Sequence, residues 1–143
     1  MIVDANVLLY AVDVKAQFHE AAYSWLSGAL NGVERVGMPW QSLLAFQRII
    51  THPRITANPL TPDAAWSHVN DWLAADLTWV PNPGSRHREI LTGFLADGIL
   101  RGNLVSDAHL AAIAIEHGVG VCSFDSDFAR FKNLNWFNPA QPG

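Results

Sequence analysis

The stretch of sequence that decides the fold runs from Leu104 to Asp125 and reads LVSDAHLAAIAIEHGVGVCSFD. Its first part predicts a helix over Leu104–Glu116, because apolar residues recur at helical spacing and the many alanines permit close approach to a sheet. Gly118 ends that helix. The apolar run Val119–Phe124 then predicts a buried strand that leads into Asp125. A helix that leads into a buried strand is typical of a parallel α/β sheet.

The rest of the chain repeats this alternation of strands and helices. Short apolar segments predict strands at Ile2–Val3, within 33–38, within 77–80 and at 136–137, and helical spacing predicts helices over about 18–30, 39–50, from Pro62 onward and from Ser85 onward. We therefore predict an α/β protein with a central, mostly parallel sheet of about four to five strands flanked by helices on both faces. No repeat or linker interrupts the pattern, so residues 1–143 are predicted to form one domain.

The composition excludes several classes of protein. Half of the 143 residues are hydrophobic and 15% are charged, which is typical of a globular chain and not of a disordered one. The single cysteine, Cys122, excludes an internal disulfide and a multi-cysteine zinc site. The longest mostly apolar stretch, 104–115, is shorter than the ~20 residues that span a bilayer. With no recognisable leader at Met1, we predict a cytoplasmic protein without a membrane partner.

Acidic residues stand where the predicted strands end. Asp4 follows Ile2–Val3, and Asp125 follows the buried strand quoted above. In an open parallel sheet, ligands bind beyond the carboxyl ends of the strands. Asp107 lies in the first turn of the helix that leads into the second of these strands, so it is expected above the same edge, and Asp127 follows two residues after Asp125. The sequence therefore predicts a cluster of carboxylates at one edge of the sheet.

A cluster of carboxylates points to a bound cation. Two carboxylates 4 Å apart repel by about 1 kcal/mol in water and about 4 kcal/mol at an effective dielectric constant of 20. Ligands that are all oxygen atoms favour Mg²⁺ or Mn²⁺ over zinc. Such ions activate water and stabilise charge on a phosphodiester, which predicts a metal-dependent nuclease. The net charge of −4 means that any attraction for nucleic acid has to be local to the site.

Each acid also has a purely structural interpretation. Asp4 could close a turn with Asn6, Asp107 could be an ordinary charge at a helix N-terminus, and Asp125 could cap the next helix. Three acids at one edge are harder to explain in this way. Two other enzyme and binding classes fit poorly. An aspartyl-phosphate phosphatase needs a second acid at position 6, and a mononucleotide site needs a glycine-rich loop after a strand.

Four segments, in order along the chain, resemble PIN domains and in particular the VapC toxins of toxin–antitoxin pairs. They are VDANVLL at 3–9, WQSLLAF at 40–46, DAHLAAIA at 107–114 and SFDSDF at 123–128. The resemblance implies a Mg²⁺- or Mn²⁺-dependent endoribonuclease that cuts RNA and inhibits translation, a VapB antitoxin that blocks its site, and usually a homodimer. By position it implies catalytic acids that are also metal ligands at Asp4, Asp107 and Asp125. It implies a fourth metal ligand, by a weaker match, at Asp127, and supporting polar residues at Asn6 and Ser123.

One position departs from the family's pattern. The family commonly carries a glutamate early in the helix after the second strand, and the nearest match here is Gln41. A glutamine can accept a hydrogen bond or hold a metal-bound water, but it adds no negative charge. One hypothesis is that activity survives with one ion held mainly by Asp4 and Asp107. The other is a weakened or inactive PIN-like module that binds RNA or a protein partner.

Arginines and tryptophans supply further candidates for contact with RNA. Arg48, Arg54 and Arg130 could bind phosphates, with solvated or ion-paired arginine as the competing interpretation. Among the six tryptophans, Trp40 is the best candidate for a role near the site, such as stacking on a base. Packing in the protein interior is the competing interpretation for each tryptophan.

Overall fold

The computed structural model describes residues 1–141, and within them five short strands form one sheet. The strands are β1 Ile2–Val3, β2 Val36–Gly37, β3 Thr78–Trp79, β4 Val121–Cys122 and β5 Trp136–Phe137. Every neighbouring pair is parallel, and the order across the sheet is β3-β2-β1-β4-β5. The predicted α/β class and parallel sheet are confirmed.

Six α-helices and a short 3₁₀ helix connect these strands within residues 1–141. They are α1 Ala5–Val12, α2 His19–Leu30, α3 Trp40–Ile50, α4 Pro62–Ala74, α5 His87–Ala96, α6 Leu104–Glu116 and the 3₁₀ helix Ser126–Arg130. Gly118, with φ of 68°, ends α6 in the left-handed conformation that glycine adopts readily. None of the helices in this part of the chain combines the length and apolar character that a bilayer span requires.

The sheet is covered by helices on both faces. Ile2 and Val121 point to a core formed with α5, α6 and the 3₁₀ helix. Their neighbours Val3 and Cys122 point to a second core formed with α1 to α4. All four side chains are fully buried. This is the pattern expected when successive residues of a strand face opposite sides of a doubly covered sheet.

Helix α1 was not predicted from the sequence, in which the first predicted helix begins at about Phe18. That prediction was wrong, because the structure has a helix directly after β1. The Asp4 carboxylate caps α1 by accepting a hydrogen bond from the Ala5 N–H at 2.8 Å. Val7, Leu8 and Ala11 form its buried face. The eight-residue helix is too short to be stable alone, so burial of this face stabilises it.

The order of the strands has a switch point between β1 and β4. From β1 the chain builds outward through β2 to β3, and then returns to the other side of β1 to form β4 and β5. In open parallel sheets, ligands bind beyond the carboxyl ends of the strands at such a switch point. Asp4 follows β1 at this edge of the sheet, and Ser123 to Asp125 follow β4.

Candidate active site

Asp4 is held rigidly at the end of β1. Its Oδ1 accepts from the Ala5 N–H at 2.8 Å, and its Oδ2 accepts from the Ser123 hydroxyl at 2.7 Å. Burial raises the pKa of Asp4 above its ordinary value, although these two hydrogen bonds act in the opposite direction. The charge of Asp125 raises it further. Both oxygens of the carboxylate therefore have fixed directions.

Ser123 connects the ends of the two central strands. Its side chain is fully buried, and besides donating to Asp4 its Oγ accepts from the side-chain amide of Asn6 at 3.1 Å and from the Asp125 N–H at 3.0 Å. Asn6 Oδ1 accepts from the Phe124 N–H at 3.2 Å. One hydroxyl thus uses its single donor and both acceptor positions. These bonds lock the start of α1 against the segment that follows β4.

Three carboxylates form the closest acidic group. One oxygen each of Asp107, Asp125 and Asp127 lies within 4.8 Å of the others. Asp107 extends from the first turn of α6, and Asp125 and Asp127 belong to the turn after β4. Asp125 is also a helix cap, because its Oδ1 accepts from the Asp127 N–H at 2.9 Å. The structural and the functional interpretations of Asp125 are therefore compatible.

The negative charges of neighbouring aspartates raise the pKa values of Asp4 and Asp107. Burial, followed by the negative charges of Asp125, Asp4 and Asp127, raises the pKa of Asp107 to about 7. Asp4 is outside the group of three, but it influences Asp107 and is influenced by Asp125. In the absence of a cation, Asp107 is thus partly protonated near neutral pH. A group of carboxylates that cannot ionise together is suited to hold a positive ion.

Gln41 lies against the first turn of α6. It occupies the first turn of α3, and its Nε2 donates to the Ser106 carbonyl at 3.1 Å. Its Oε1 is buried and has no hydrogen-bond partner among residues 1–141. The residue that departs from the family's pattern is therefore next to the backbone that carries Asp107.

The three candidate arginines differ in their surroundings. Arg130 Nε lies 3.2 Å from Asp127 Oδ1, so Arg130 is part of the acidic group's surroundings. This pair is largely exposed, and exposed pairs contribute only about 0–1 kcal/mol. Arg48, in the last turn of α3, and Arg54, in the loop beyond it, are exposed and take part in neither ion pair found within residues 1–141.

The sequence did not predict two aromatic contacts that the structure shows. Trp136 of the edge strand donates its indole N–H to the Ser123 carbonyl at 2.9 Å. Trp40 is 42% exposed and stacks nearly parallel to Trp66, which is 38% exposed, with ring centroids 6.5 Å apart. Both contacts depend on how distant elements pack. The aromatic composition alone could not have identified these partners.

The chemistry of the donor set fits a hard divalent cation. Asp107, Asp125 and Asp127 offer carboxylate oxygens within one small volume, with Asp4 beside them. Mg²⁺ and Mn²⁺ prefer such oxygen ligands, whereas zinc in proteins favours nitrogen and sulfur. Cys122 is buried, and burial raises the pKa of its thiol far above the ordinary value, so it offers no thiolate. The residues present therefore suit Mg²⁺ or Mn²⁺.

Comparisons with known structures show the same fold. VapBC2 from Rickettsia felis, solved bound to a DNA fragment from the promoter, aligns with a TM-score of 0.69 at 16% identity over 96% of each chain. FitAcB from Neisseria gonorrhoeae aligns with a TM-score of 0.61 at 17% identity over 97% of each chain. At these identities the similarity concerns the fold alone.

Comparisons of sequence show the family. The PIN domain family matches residues 1–134. The chain is 48% identical to Ribonuclease VapC37 of Mycobacterium tuberculosis over 138 residues, which cover 96% of each protein. It is 37% identical to Ribonuclease VapC33 of the same species over 139 residues, or 97% of each. The chain therefore belongs to the PIN domain family and, within it, to the VapC proteins.

Proposed function

We propose that this protein is the toxin of a type II toxin–antitoxin pair, an endoribonuclease that depends on Mg²⁺ or Mn²⁺ and inhibits translation by cutting RNA. The observation that carries the proposal is the group formed by Asp107, Asp125 and Asp127, with Asp4 beside it, at the carboxyl ends of β1 and β4. Relatives that are 48% and 37% identical over nearly the whole chain are named as ribonucleases, which supports the reaction class.

Each acid has an assigned part in this proposal. Asp4, Asp107 and Asp125 are the catalytic acids, and together with Asp127 they would hold the cation. When bound, that cation would activate water and neutralise charge on the phosphodiester. Asn6 and Ser123 would keep Asp4 and Asp125 in their orientations, because they bond to the carboxylate of Asp4 and to the backbone around Asp125.

The surroundings of the acids suit the approach of an RNA strand. A bare acidic cluster repels an anionic backbone, so the cation would also make substrate binding possible. Arg130 is held only by a weak exposed ion pair with Asp127, and it could exchange that partner for a phosphate oxygen. Arg48 and Arg54 are proposed as further phosphate contacts because they are exposed and not engaged in the ion pairs of residues 1–141.

The proposal extends to partners and location. Structures with the same fold are described as VapBC2 bound to promoter DNA and FitAB bound to a DNA fragment, which supports a VapB-type antitoxin as the partner of this chain. We further propose a homodimer in the cytoplasm. Co-expression with a small gene that adjoins its own would test the pairing, because a cognate antitoxin should relieve growth arrest caused by this chain alone.

Removal of the metal should show whether the protein is an enzyme or a binding module. Gln41 stands where the family commonly has an acid, and it favours the second candidate, an inactive module that binds RNA or a protein. If the protein is an enzyme, chelation with EDTA should stop cleavage of RNA and excess Mn²⁺ should restore it, as followed on a gel. If the protein binds RNA equally well with and without Mn²⁺ and never cleaves it, the module is the correct interpretation.

The metal-free protein should lose the stability contributed by Asp107 as the pH rises. The pKa of Asp107 is raised from 3.8 to about 7, so the folded chain retains a proton there that the unfolded chain has released. This contribution is fully present below about pH 4 and is lost as the pH rises through about 7. The melting temperature of the wild type should therefore fall relative to that of Asp107→Asn between pH 5 and 8.

The comparison with Asp107→Asn is needed because His109 changes the stability of the protein with pH in the opposite direction. Burial and the neighbouring His87 lower the pKa of His109, so its contribution to stability increases with pH. The difference between the melting temperatures of the wild type and the variant removes this effect, since both proteins retain His109. Saturating Mn²⁺ should also abolish the fall, because the ion binds the ionised carboxylate. A pH-independent difference between the two proteins would contradict the raised pKa.

A further inference from the structure

A side-chain hydrogen bond joins the first turns of α3 and α6. Gln41 Nε2 donates to the Ser106 carbonyl, 65 residues away in the sequence, at 3.1 Å. Ser106 directly precedes Asp107. We propose that Gln41 is a positioning residue of the acid site, whose amide holds the first turn of α6 and so determines where Asp107 lies. This inference rests on the proposed function.

The first turn of α6 lacks the capping bond that usually stabilises a helix N-terminus. Asn103 occupies the capping position, but its side chain makes no capping hydrogen bond. The Leu104 and Val105 N–H groups donate instead to the carbonyls of the preceding turn, at 3.1 and 3.2 Å, so backbone bonds close this end of the helix. Val105 and Ser106 are exposed, whereas Leu104 packs against the core from the same turn. Among the side-chain hydrogen bonds found within residues 1–141, the bond from Gln41 is the one that joins this turn to α3.

The chemistry of this bond requires an amide at position 41. The acceptor is a backbone carbonyl, so only the N–H₂ end of the side chain can face it. A glutamate would place a carboxylate oxygen against a carbonyl oxygen, with no proton to share. It would also add a negative charge near acids that already repel one another. A carboxylate at position 41 would thus remove the bond between α3 and α6 while it increased the charge of the site.

The oxygen of the Gln41 side chain is free to accept a hydrogen bond. Gln41 Oε1 is buried without a hydrogen-bond partner in the described part of the chain, and water that accompanies a cation supplies donors. An unpartnered Oε1 is not in itself evidence for a site, because Gln47 on the same helix shows the same feature. Gln47 Nε2 donates to the Pro62 carbonyl at 3.1 Å. What distinguishes Gln41 is its contact with the turn that carries Asp107.

Gln47 provides a matched control for the experiment. It makes the same kind of bond between two helices, about 9 Å further along the axis of α3 and against the start of α4. Methionine is similar in length and volume to glutamine but has no donor. The variants Q41M and Q47M should therefore cost similar stability in the metal-free protein, which thermal unfolding measures. Only Q41M should change a property of the acid site.

The deciding measurement is the affinity for Mn²⁺, followed by calorimetry on the full chain. Q41M should bind Mn²⁺ about 10- to 100-fold more weakly than the wild type, which is the effect typical of residues that orient metal ligands. Q47M should bind it with unchanged affinity. Q41E should cleave RNA at least about tenfold more slowly than the wild type at saturating Mn²⁺, because its added charge does not replace the lost donor.

The outcomes distinguish this inference from the proposed function. If the wild type binds Mn²⁺ and Q41M binds it equally well, the positioning role is overturned and the nuclease remains. If Q41E cleaves RNA as fast as the wild type or faster, the need for an amide is overturned. Absence of Mn²⁺ binding by the wild type would overturn the proposed function and this inference together.

Discussion

Replacement of Asp107 by asparagine should abolish RNA cleavage and at the same time stabilise the metal-free protein above neutral pH. The amide has the same shape as the carboxylate, but it carries no negative charge and is a much weaker ligand for Mg²⁺ or Mn²⁺. Loss of residues that merely orient metal ligands costs about 10- to 100-fold in affinity or activity, so loss of a ligand should cost at least about 100-fold. Stability should rise at pH 8, because a partly buried carboxylate with a pKa of about 7 is no longer forced to ionise.

Asp63→Asn is the matched control for this variant. Asp63 occupies the first turn of α4, as Asp107 occupies the first turn of α6, but it is exposed. It should leave cleavage unchanged and should not stabilise the protein at pH 8. Cleavage rates with saturating Mn²⁺ and melting temperatures without metal check both expectations. Retention of wild-type cleavage by Asp107→Asn would remove Asp107 from the site.

Replacement of Ser123 by alanine should impair both activity and stability. The buried hydroxyl satisfies Asp4 Oδ2, the Asn6 amide and the Asp125 N–H, and its loss leaves these groups without that partner. Unsatisfied buried polar groups cost about 1–3 kcal/mol each, so the free energy of unfolding should fall by at least that amount. Cleavage should fall by about 10- to 100-fold, since Asp4 loses the bond that orients it.

The control for this variant is Ser126→Ala. Ser126 is exposed at the start of the 3₁₀ helix, three residues further along the chain, and makes no side-chain hydrogen bond within residues 1–141. It should leave cleavage unchanged and should change the free energy of unfolding by no more than about 0.5 kcal/mol, which is the usual range for surface substitutions. Denaturant titration gives the stability, and Mn²⁺ calorimetry shows whether metal affinity falls with activity. A Ser123→Ala protein that is destabilised but fully active would mean that Ser123 serves the fold alone.

Much of the architecture could be predicted because it depends on local patterns. Apolar periodicity distinguishes the helix Leu104–Glu116 from the strand that follows it, and the alternation of the two requires parallel strands. Parallel strands place their carboxyl ends at one edge, so the sequence predicts Asp4 and Asp125 at that edge, side by side if their two strands are neighbours. Helix α1 was not predicted, because it is short and follows β1 without a turn.

The details of the site could not be predicted, because they depend on contacts between distant segments. Ser123 bonds to Asp4 across 119 positions and Gln41 to Ser106 across 65, and no local pattern encodes which side chain meets which backbone group. The structure places Asp127, the weakest of the four acids by resemblance, within the closest group, and it places Asp4 beside that group. It also pairs Arg130 with Asp127.

The sequence by itself thus determined the fold class, the family and the edge of the sheet at which the acids gather. These follow from the period of the apolar residues and from the order of a few short motifs. Only the tertiary structure decided which acids approach within 4.8 Å, and that the pKa of Asp107 is raised to about 7. The physical reason is that burial and repulsion between charges depend on distances in space, which the packing of α3, α6 and the segment after β4 sets.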